Sequence, residues 1–245
     1  MRRLTGLVIQ SGIAYGKIHK WIPSENGVTR FDLFINQKEL LINALKTSTE
    51  AIENAIKNSS EIFNETFSMI FEAHKLMVND PILLNEAYRR IEDGENAYDA
   101  YKRAALDIIN QFQLLSNDYM RNRIIDIKDA TDRVLYTIQN LEYENSLIFD
   151  EPHILLLPEM RPSIILNCDK RYVSGFIVET GNYDQHASLM ARRKEIPGMI
   201  IEGALNFINE GDVTLIDANN GVVYINPSTR IMNQYHFQGA ETDEL

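Results

Sequence analysis

The spacing of apolar and polar residues changes twice along this chain, near residues 25 and 145. Residues 4–22 contain two short apolar runs, Leu7–Ile9 and Ile13–Ile18, on either side of Ser11 and Gly12, which is typical of strands joined by a turn. After residue 145 short apolar runs return. Two of these runs flank Asn219-Asn220-Gly221, which predicts a tight hairpin.

The central segment, from about residue 32 to residue 145, has apolar residues at intervals of three and four, which predicts helices. Two apolar stripes show the pattern: Leu41, Leu45, Ile52, Ala55 and Ile56 form one, and Phe63, Phe67, Ile70, His74 and Met77 form the other. Asp80 before Pro81 predicts the start of a further helix, because aspartate caps a helix and proline fits its first position. Asn96 is a second predicted cap.

These segments predict an α/β fold interrupted by a helical bundle. The α/β domain is discontinuous and consists of residues 1–24 and 146–230, so that the N-terminal strands pair with the C-terminal ones. Residues 25–145 form the inserted helical subdomain. Residues 231–245 are polar and weakly patterned, and we expect a linker or a frayed tail there.

Charge and cysteine content narrow the class of protein. The 245 residues include 24 Lys+Arg and 35 Asp+Glu, a net charge of −11, which argues against nucleic acid or an anionic membrane as a partner and favours a basic protein. The helical segment 32–145 alone carries 20 acidic and 12 basic residues, or 12 − 20 = −8. No apolar run approaches the roughly 18 residues that cross a bilayer. The lone Cys168 excludes a disulfide framework, and we expect a cytoplasmic protein.

One histidine stands out as a candidate for chemistry. His186 follows the turn at Gly181 and begins a predicted helix of residues 186–194, where backbone N–H groups and the helix dipole favour an anion. An imidazole there is suited to carry a phosphoryl group on a ring nitrogen. Ser188 could add a hydroxyl donor and Arg192 a positive charge. From spacing alone, a purely structural His186 at a helix start remains the alternative.

A family resemblance supports the first interpretation. The segments that carry it are His186–Arg192 with Glu195–Gly198, Ser11–Lys17, Ile70–His74 with Asn79–Pro81, Asn117–Tyr119 with Asp126–Asp129, and Asp217–Pro227. The first resembles the phosphohistidine motif of phosphoenolpyruvate-utilising enzymes. Together, and in this order, they resemble the N-terminal part of Enzyme I of the bacterial phosphoenolpyruvate:sugar phosphotransferase system.

The resemblance implies a swivelling β/β/α phosphohistidine domain with a helical subdomain that binds the small phosphocarrier protein HPr. It implies that His186 is the nucleophile. It also implies a carrier-binding face that includes Glu65, Glu72, His74 and Met77, with Arg123 near the carrier's phosphohistidine. Packing in the core remains an alternative for His74 and Met77, as does a solvated position for Arg123.

The loop before His186 departs from the family. Where the family has Gly-Gly-Arg-Thr-Ser, this chain has Gly181-Asn182-Tyr183-Asp184-Gln185, so that an arginine and a threonine that help to hold phosphate are missing. Arg161 stands where the family has a threonine that bonds the resting histidine. We expect Gly181 and Arg161 to support the phosphate, with Arg161 supplying the cation lost from the loop.

The implied function is phosphoryl transfer from phosphoenolpyruvate to an HPr-like carrier, with this chain as the part that exchanges phosphate with the carrier. The alternative is a degenerate module that only binds or regulates the carrier. The family's phosphoenolpyruvate-binding and dimerisation domain would follow Leu245, so we expect either an excised domain or a natural short form. We expect no cofactor here, with Mg²⁺ and phosphoenolpyruvate bound by that further domain. We also expect no metal site, because the five histidines lack ligand spacing.

Overall fold

The computed structural model describes residues 1–22, 36–63, 65–117, 120, 122–141, 147 and 149–237, which fall into two compact units. The first unit comprises the described residues of Met1–Ile22, Leu147–Met160 and Cys168–Leu245. The second comprises those of Pro23–Ser146 and Arg161–Asn167. The predicted boundaries at residues 24/25 and 145/146 lie outside the described residues.

The first unit is built on an eight-stranded sheet. Its strands are β1 (Arg2–Thr5), β2 (Leu7–Gln10), β3 (Ile13–Lys20), β4 (His153–Glu159), β5 (Val173–Thr180), β6 (Gly198–Ile200), β7 (Val213–Asp217) and β8 (Val222–Ile225), in the order β1-β8-β7-β3-β4-β5-β6-β2. The inner strands β3, β4, β5 and β6 are parallel, whereas β1, β7 and β8 pair antiparallel. The hairpin of β7 and β8 is confirmed, and strands from both ends of the sequence pair as predicted.

Gly6 joins the two ends of this sheet. Strands β1 and β2 are separated by that residue alone, yet β1 pairs with β8 and β2 pairs with β6. The sheet therefore closes on itself through a single residue of chain. A Cβ atom at position 6 would collide with the carbonyl oxygen of Ile200 and lie 2.7 Å from Cγ1 of Ile201, which explains a glycine there.

The second unit is helical. Its main helices are α1 (Gln37–Ile62), α2 (Glu65–Val78), α3 (Pro81–Glu92), α4 (Ala97–Gln113) and α5 (Ile124–Ile138). Asp80 and Asn96 accept hydrogen bonds from first-turn N–H groups of α3 and α4, as predicted. The mixed α/β fold with a helical region is confirmed.

Four shorter helices complete the described chain: α6 (Pro162–Asn167), α7 (His186–Arg193), α8 (Ala204–Phe207) and α9 (Thr229–Gln234). Two of them correct the predicted organisation. Residues 161–167, predicted in the α/β domain, belong to the helical unit. Residues 231–237, predicted as a tail, are ordered: Met232 of α9 is buried, and Phe237 stacks on Tyr15 with ring centroids 4.9 Å apart. No helix in the described ranges is long and apolar enough to span a membrane.

Candidate functional site

His186 is the first residue of α7, directly after the loop that follows β5. The residue is half-buried, so part of its surface remains in contact with solvent. Gln185 is the N-cap residue in an extended conformation, but its side chain makes no capping hydrogen bond. The first-turn N–H groups of α7 therefore receive no side-chain cap from Gln185, and such groups are suited to bind an anion beside the histidine.

The Gln185 side chain is directed into the loop instead. Its Oε1 accepts a hydrogen bond from the N–H of Asn182 at 3.3 Å, and Oδ1 of Asn182 accepts one from the N–H of Asp184 at 3.0 Å. A Cβ atom on Gly181 would lie 3.2 Å from this Oε1, so glycine leaves room for the amide. Side chains within the loop thus fix the loop's shape without the residues usual in the family.

Ser188 donates its hydroxyl proton to the loop before His186. The side chain is buried, and Oγ donates to the carbonyl oxygen of Asn182 at 2.7 Å. A serine has one O–H group and here it bonds the loop, so donation from Ser188 to a phosphate stays a prediction. The Ser188 hydroxyl thus connects α7 to the start of the loop by a hydrogen bond.

Arg192 lies against the same loop. Its NH1 donates to the carbonyl oxygen of Tyr183 at 2.7 Å, and its guanidinium carbon lies 3.7 Å from the centroid of the Tyr183 ring. The guanidinium of Arg192, predicted to support phosphate, thus contacts the segment that precedes His186. Tyr183, which sequence reasoning did not single out, is the residue that holds it.

Arg161 pairs with a carboxylate of the helical unit. It is buried in the helical unit, where NH1 donates to Oδ2 of Asp132 at 2.5 Å. Nearby, Asp129 accepts hydrogen bonds from both the backbone N–H and the hydroxyl of Ser163. Arg161 therefore forms an ion pair with a carboxylate of α5, and its expected role as a replacement for the phosphate-binding cation stays a prediction.

The predicted carrier-binding residues differ in solvent exposure. Glu65 and Glu72 are exposed on α2, and Met77 is half-buried. Arg123 precedes α5, and its NH1 lies 3.2 Å from Oδ2 of Asp126. His74 is completely buried, which favours the alternative that it packs in the core of the helical unit.

Two exposed apolar residues extend this face. Met69 and Leu76 are 68% and 75% exposed, and with Glu65 and Glu72 they recur every three or four residues along α2. Residues at this spacing share one side of a helix. The sequence contained this second stripe, but its apolar members fall between those of the buried stripe and were not recognised as a separate face.

The described residues include no group of three or more histidine, cysteine, aspartate or glutamate side chains that could hold a metal ion. The pKa of the Cys168 thiol is raised to about 12 by burial, which makes it a poor nucleophile. Within the described part of the site, the imidazole of the half-exposed His186 at the start of α7 is the group best suited to nucleophilic chemistry.

Sequence comparisons link both units to one enzyme family. The family described as "PEP-utilising enzyme, N-terminal" matches residues 5–123, and "PEP-utilising enzyme, mobile domain" matches residues 149–221. The phosphoenolpyruvate-protein phosphotransferase of Geobacillus stearothermophilus is 30% identical over 96% of this chain, and that of Bacillus subtilis (strain 168) is 28% identical over 96%. The chain spans 41% and 42% of these two curated relatives.

Solved structures show the same fold. A solution structure of Enzyme I matches 95% of this chain and 96% of its own, with a TM-score of 0.70 and 23% identity. The N-terminal domain of Enzyme 1 – Nitrogen matches 95% of this chain and 98% of its own, with a TM-score of 0.63 and 19% identity. At these identities the likeness concerns the fold.

Proposed function

Because this chain belongs to the family of phosphoenolpyruvate-utilising enzymes, we propose that it exchanges a phosphoryl group between His186 and a histidine of an HPr-like carrier protein. The observation that supports this most directly is the half-exposed His186 at a helix start that Gln185 does not cap. The residues match the N-terminal part of longer relatives. Transfer from phosphoenolpyruvate is therefore proposed only for a protein that also carries a phosphoenolpyruvate-binding domain.

The exchange is a displacement at phosphorus. A ring nitrogen of His186 attacks the phosphorus, a nitrogen–phosphorus bond forms on His186, and the carrier's bond breaks as its imidazole takes the electron pair. The reverse step returns the group. Positioning and charge stabilisation dominate such transfers, and the first-turn N–H groups of α7 supply a fixed partial positive charge.

Recognition of the carrier is proposed for the face of α2 that carries Glu65, Met69, Glu72 and Leu76, here called the α2 face. Its apolar residues are highly exposed, and its two carboxylates alternate with them. Such a face fits a partner with a small apolar patch and basic surroundings. The excess of acidic residues in the helical segment adds a field that attracts a basic partner.

The experiment measures phosphate exchange with an HPr-like carrier carrying radioactive phosphate on its histidine. We expect acid-labile label on the wild-type chain and none on His186→Gln. On the α2 face, Met69→Asp should raise KM for the carrier about tenfold or more, because it places a charge in an apolar contact. Ile82→Asp is the matched control: Ile82 is 73% exposed on α3 of the same unit, and KM should not change. Label on His186→Gln equal to that on the wild type would refute the proposal.

The alternative function, a module that binds the carrier without transfer, has one observation in its favour. Asp184 places an exposed carboxylate two residues before His186, where a phosphoryl group would arrive. The same experiment separates the two functions. Binding of the carrier by titration, with no label on the wild-type chain and no effect of His186→Gln, would support the binding module. A cytoplasmic location is proposed together with either function.

A further inference from the structure

Three side chains connect the surface of the helical unit with its core. Arg123, whose side chain is 25% exposed, donates from NH1 toward Oδ2 of Asp126 at 3.2 Å. Asp126 is 4% exposed, and its other oxygen, Oδ1, lies 4.0 Å from Nε2 of the fully buried His74. The two oxygens of one carboxylate therefore face two different groups, a surface arginine and a buried ring.

Packing alone does not account for a histidine at position 74. Neither ring nitrogen has a hydrogen-bond partner among the residues that the structure describes, and the ring meets the edge of Phe71 with centroids 5.3 Å apart. Burying polar atoms without hydrogen bonds destabilises the folded state. A leucine would fill similar space without that cost. A charged group, the carboxylate of Asp126, lies 4.0 Å from Nε2.

We infer that His74 and Asp126 are positioning residues for Arg123 in the transfer reaction. This inference rests on the proposed function, in which Arg123 meets the phosphoryl group of the docked carrier. His74 limits rotation of the carboxylate from one side, so that Oδ2 stays directed at the arginine. The guanidinium is then held in place before the carrier arrives, and less of its freedom is lost in the transition state.

The kinetic test compares three substitutions of His74 and Asp126 in wild-type and Arg123→Ala backgrounds. We expect Asp126→Asn to lower kcat for exchange about tenfold, the effect of weakening one charged hydrogen bond. His74→Leu should lower kcat several-fold with KM for the carrier unchanged. His74→Gln should restore most of the rate, because its amide nitrogen can stand near the position of Nε2.

Coupling distinguishes positioning from a structural role. In the Arg123→Ala background, His74→Leu and Asp126→Asn should have no further effect on kcat, since the residue that they position is gone. The inference would be overturned if His74→Leu or Asp126→Asn lowered kcat by the same factor in the Arg123→Ala background as in the wild type. It would also be overturned if His74→Leu alone had the wild-type kcat.

A second readout does not depend on transfer. NMR relaxation of the Arg123 side-chain nitrogen should report a rigid guanidinium in the wild-type chain and in His74→Gln, and a mobile one in His74→Leu and Asp126→Asn. If the wild-type chain takes no phosphate, the proposed function fails, yet this measurement still decides whether His74 restrains Arg123. An arginine equally mobile in all four proteins would refute the positioning role.

Discussion

His186 lies where a side chain and a helix terminus can act on the same anion. The residue is half-exposed at the first position of α7, and the residues around it hold one another: Gln185 bonds Asn182, Ser188 bonds Asn182, and Arg192 lies on Tyr183. The loop therefore has a defined shape although its sequence departs from the family pattern. A fixed loop presents the histidine in one orientation, which a transfer between two proteins needs.

At this scale Cys168 gives a test of the first unit. The thiol is 3% exposed, and burial raises its pKa to about 12, whereas a free thiol has a pKa of about 8.5. At pH 8 the folded protein should therefore react with iodoacetamide far more slowly than the protein unfolded in guanidinium. Mass spectrometry of timed samples measures both rates. Equal rates in the two states would contradict the buried position.

The sequence led to His186 but not to the partners of the residues around it. A glycine turn followed by a histidine and a helical pattern is local information, and α7 begins where predicted. The ion pair of Arg161 with Asp132, which lies 29 residues away, depends on tertiary packing, and no local pattern reports it. The sequence does not decide the burial of His74 for a related reason, because spacings of three and four define a helix face but do not show which element packs against it.

Among the elements, strands and capped helices followed from the sequence, whereas the shortest helices did not. The caps at Asp80 and Asn96 have strong local signals. Helix α9 has six residues, one of them buried, which is too short for a periodic pattern. A tertiary hydrogen bond stabilises helix α9. Tyr235, the residue after the helix, donates from its hydroxyl to Oδ2 of Asp217 in β7 at 2.6 Å.

The contact between Tyr235 and Asp217 yields a prediction about the C-terminal element. Burial raises the pKa of the Asp217 carboxyl, but hydrogen bonds from Tyr235 and Asn220 outweigh it, and the net pKa is below the usual value. Tyr235→Phe should therefore lower the free energy of unfolding by about 1.5–3 kcal/mol at pH 7, the range for a hydrogen bond to a charged group.

The pH dependence of this effect has a definite sign. A carboxyl whose pKa is lowered by folding contributes stability above its unfolded pKa of about 4, and that contribution is lost as the pH falls through the folded value. Urea unfolding of Tyr235→Phe and the wild type should thus differ most near neutral pH and converge at acid pH. A difference that stays constant down to acid pH would contradict the role of the ionised carboxylate.

For the whole molecule, closure of the sheet through Gly6 has the largest structural consequence. The prediction that both ends of the sequence build one sheet is confirmed, but the kink that sends β1 and β2 to opposite ends was not foreseen. A single glycine between two apolar runs is a weak signal. Glycine is needed at position 6 because Ile200 and Ile201 approach it closely, and this contact exists only once the strands have paired.

Gly6→Ala tests this closure. The new methyl group would collide with the Ile200 carbonyl, so we expect a loss of about 3 kcal/mol in the stability of the first unit, as for an overpacked core. Gly211→Ala is the control. Position 211 has a φ of 78° and no atom within 4 Å of a new Cβ, so strain of about 1–2 kcal/mol is expected there. Urea unfolding monitored by Cys168 labelling gives both values. Equal losses would contradict the tight approach at Gly6.

The central claim, that His186 carries the phosphoryl group, is tested most directly by locating the phosphate. The chain is incubated with phosphorylated HPr-like carrier, digested at alkaline pH to preserve phosphohistidine, and sequenced by tandem mass spectrometry. We predict phosphate on the peptide that contains His186 and on no other histidine. Phosphate on His19, His74, His153 or His236 instead, or a carrier that binds and leaves every histidine unmodified, would contradict this account.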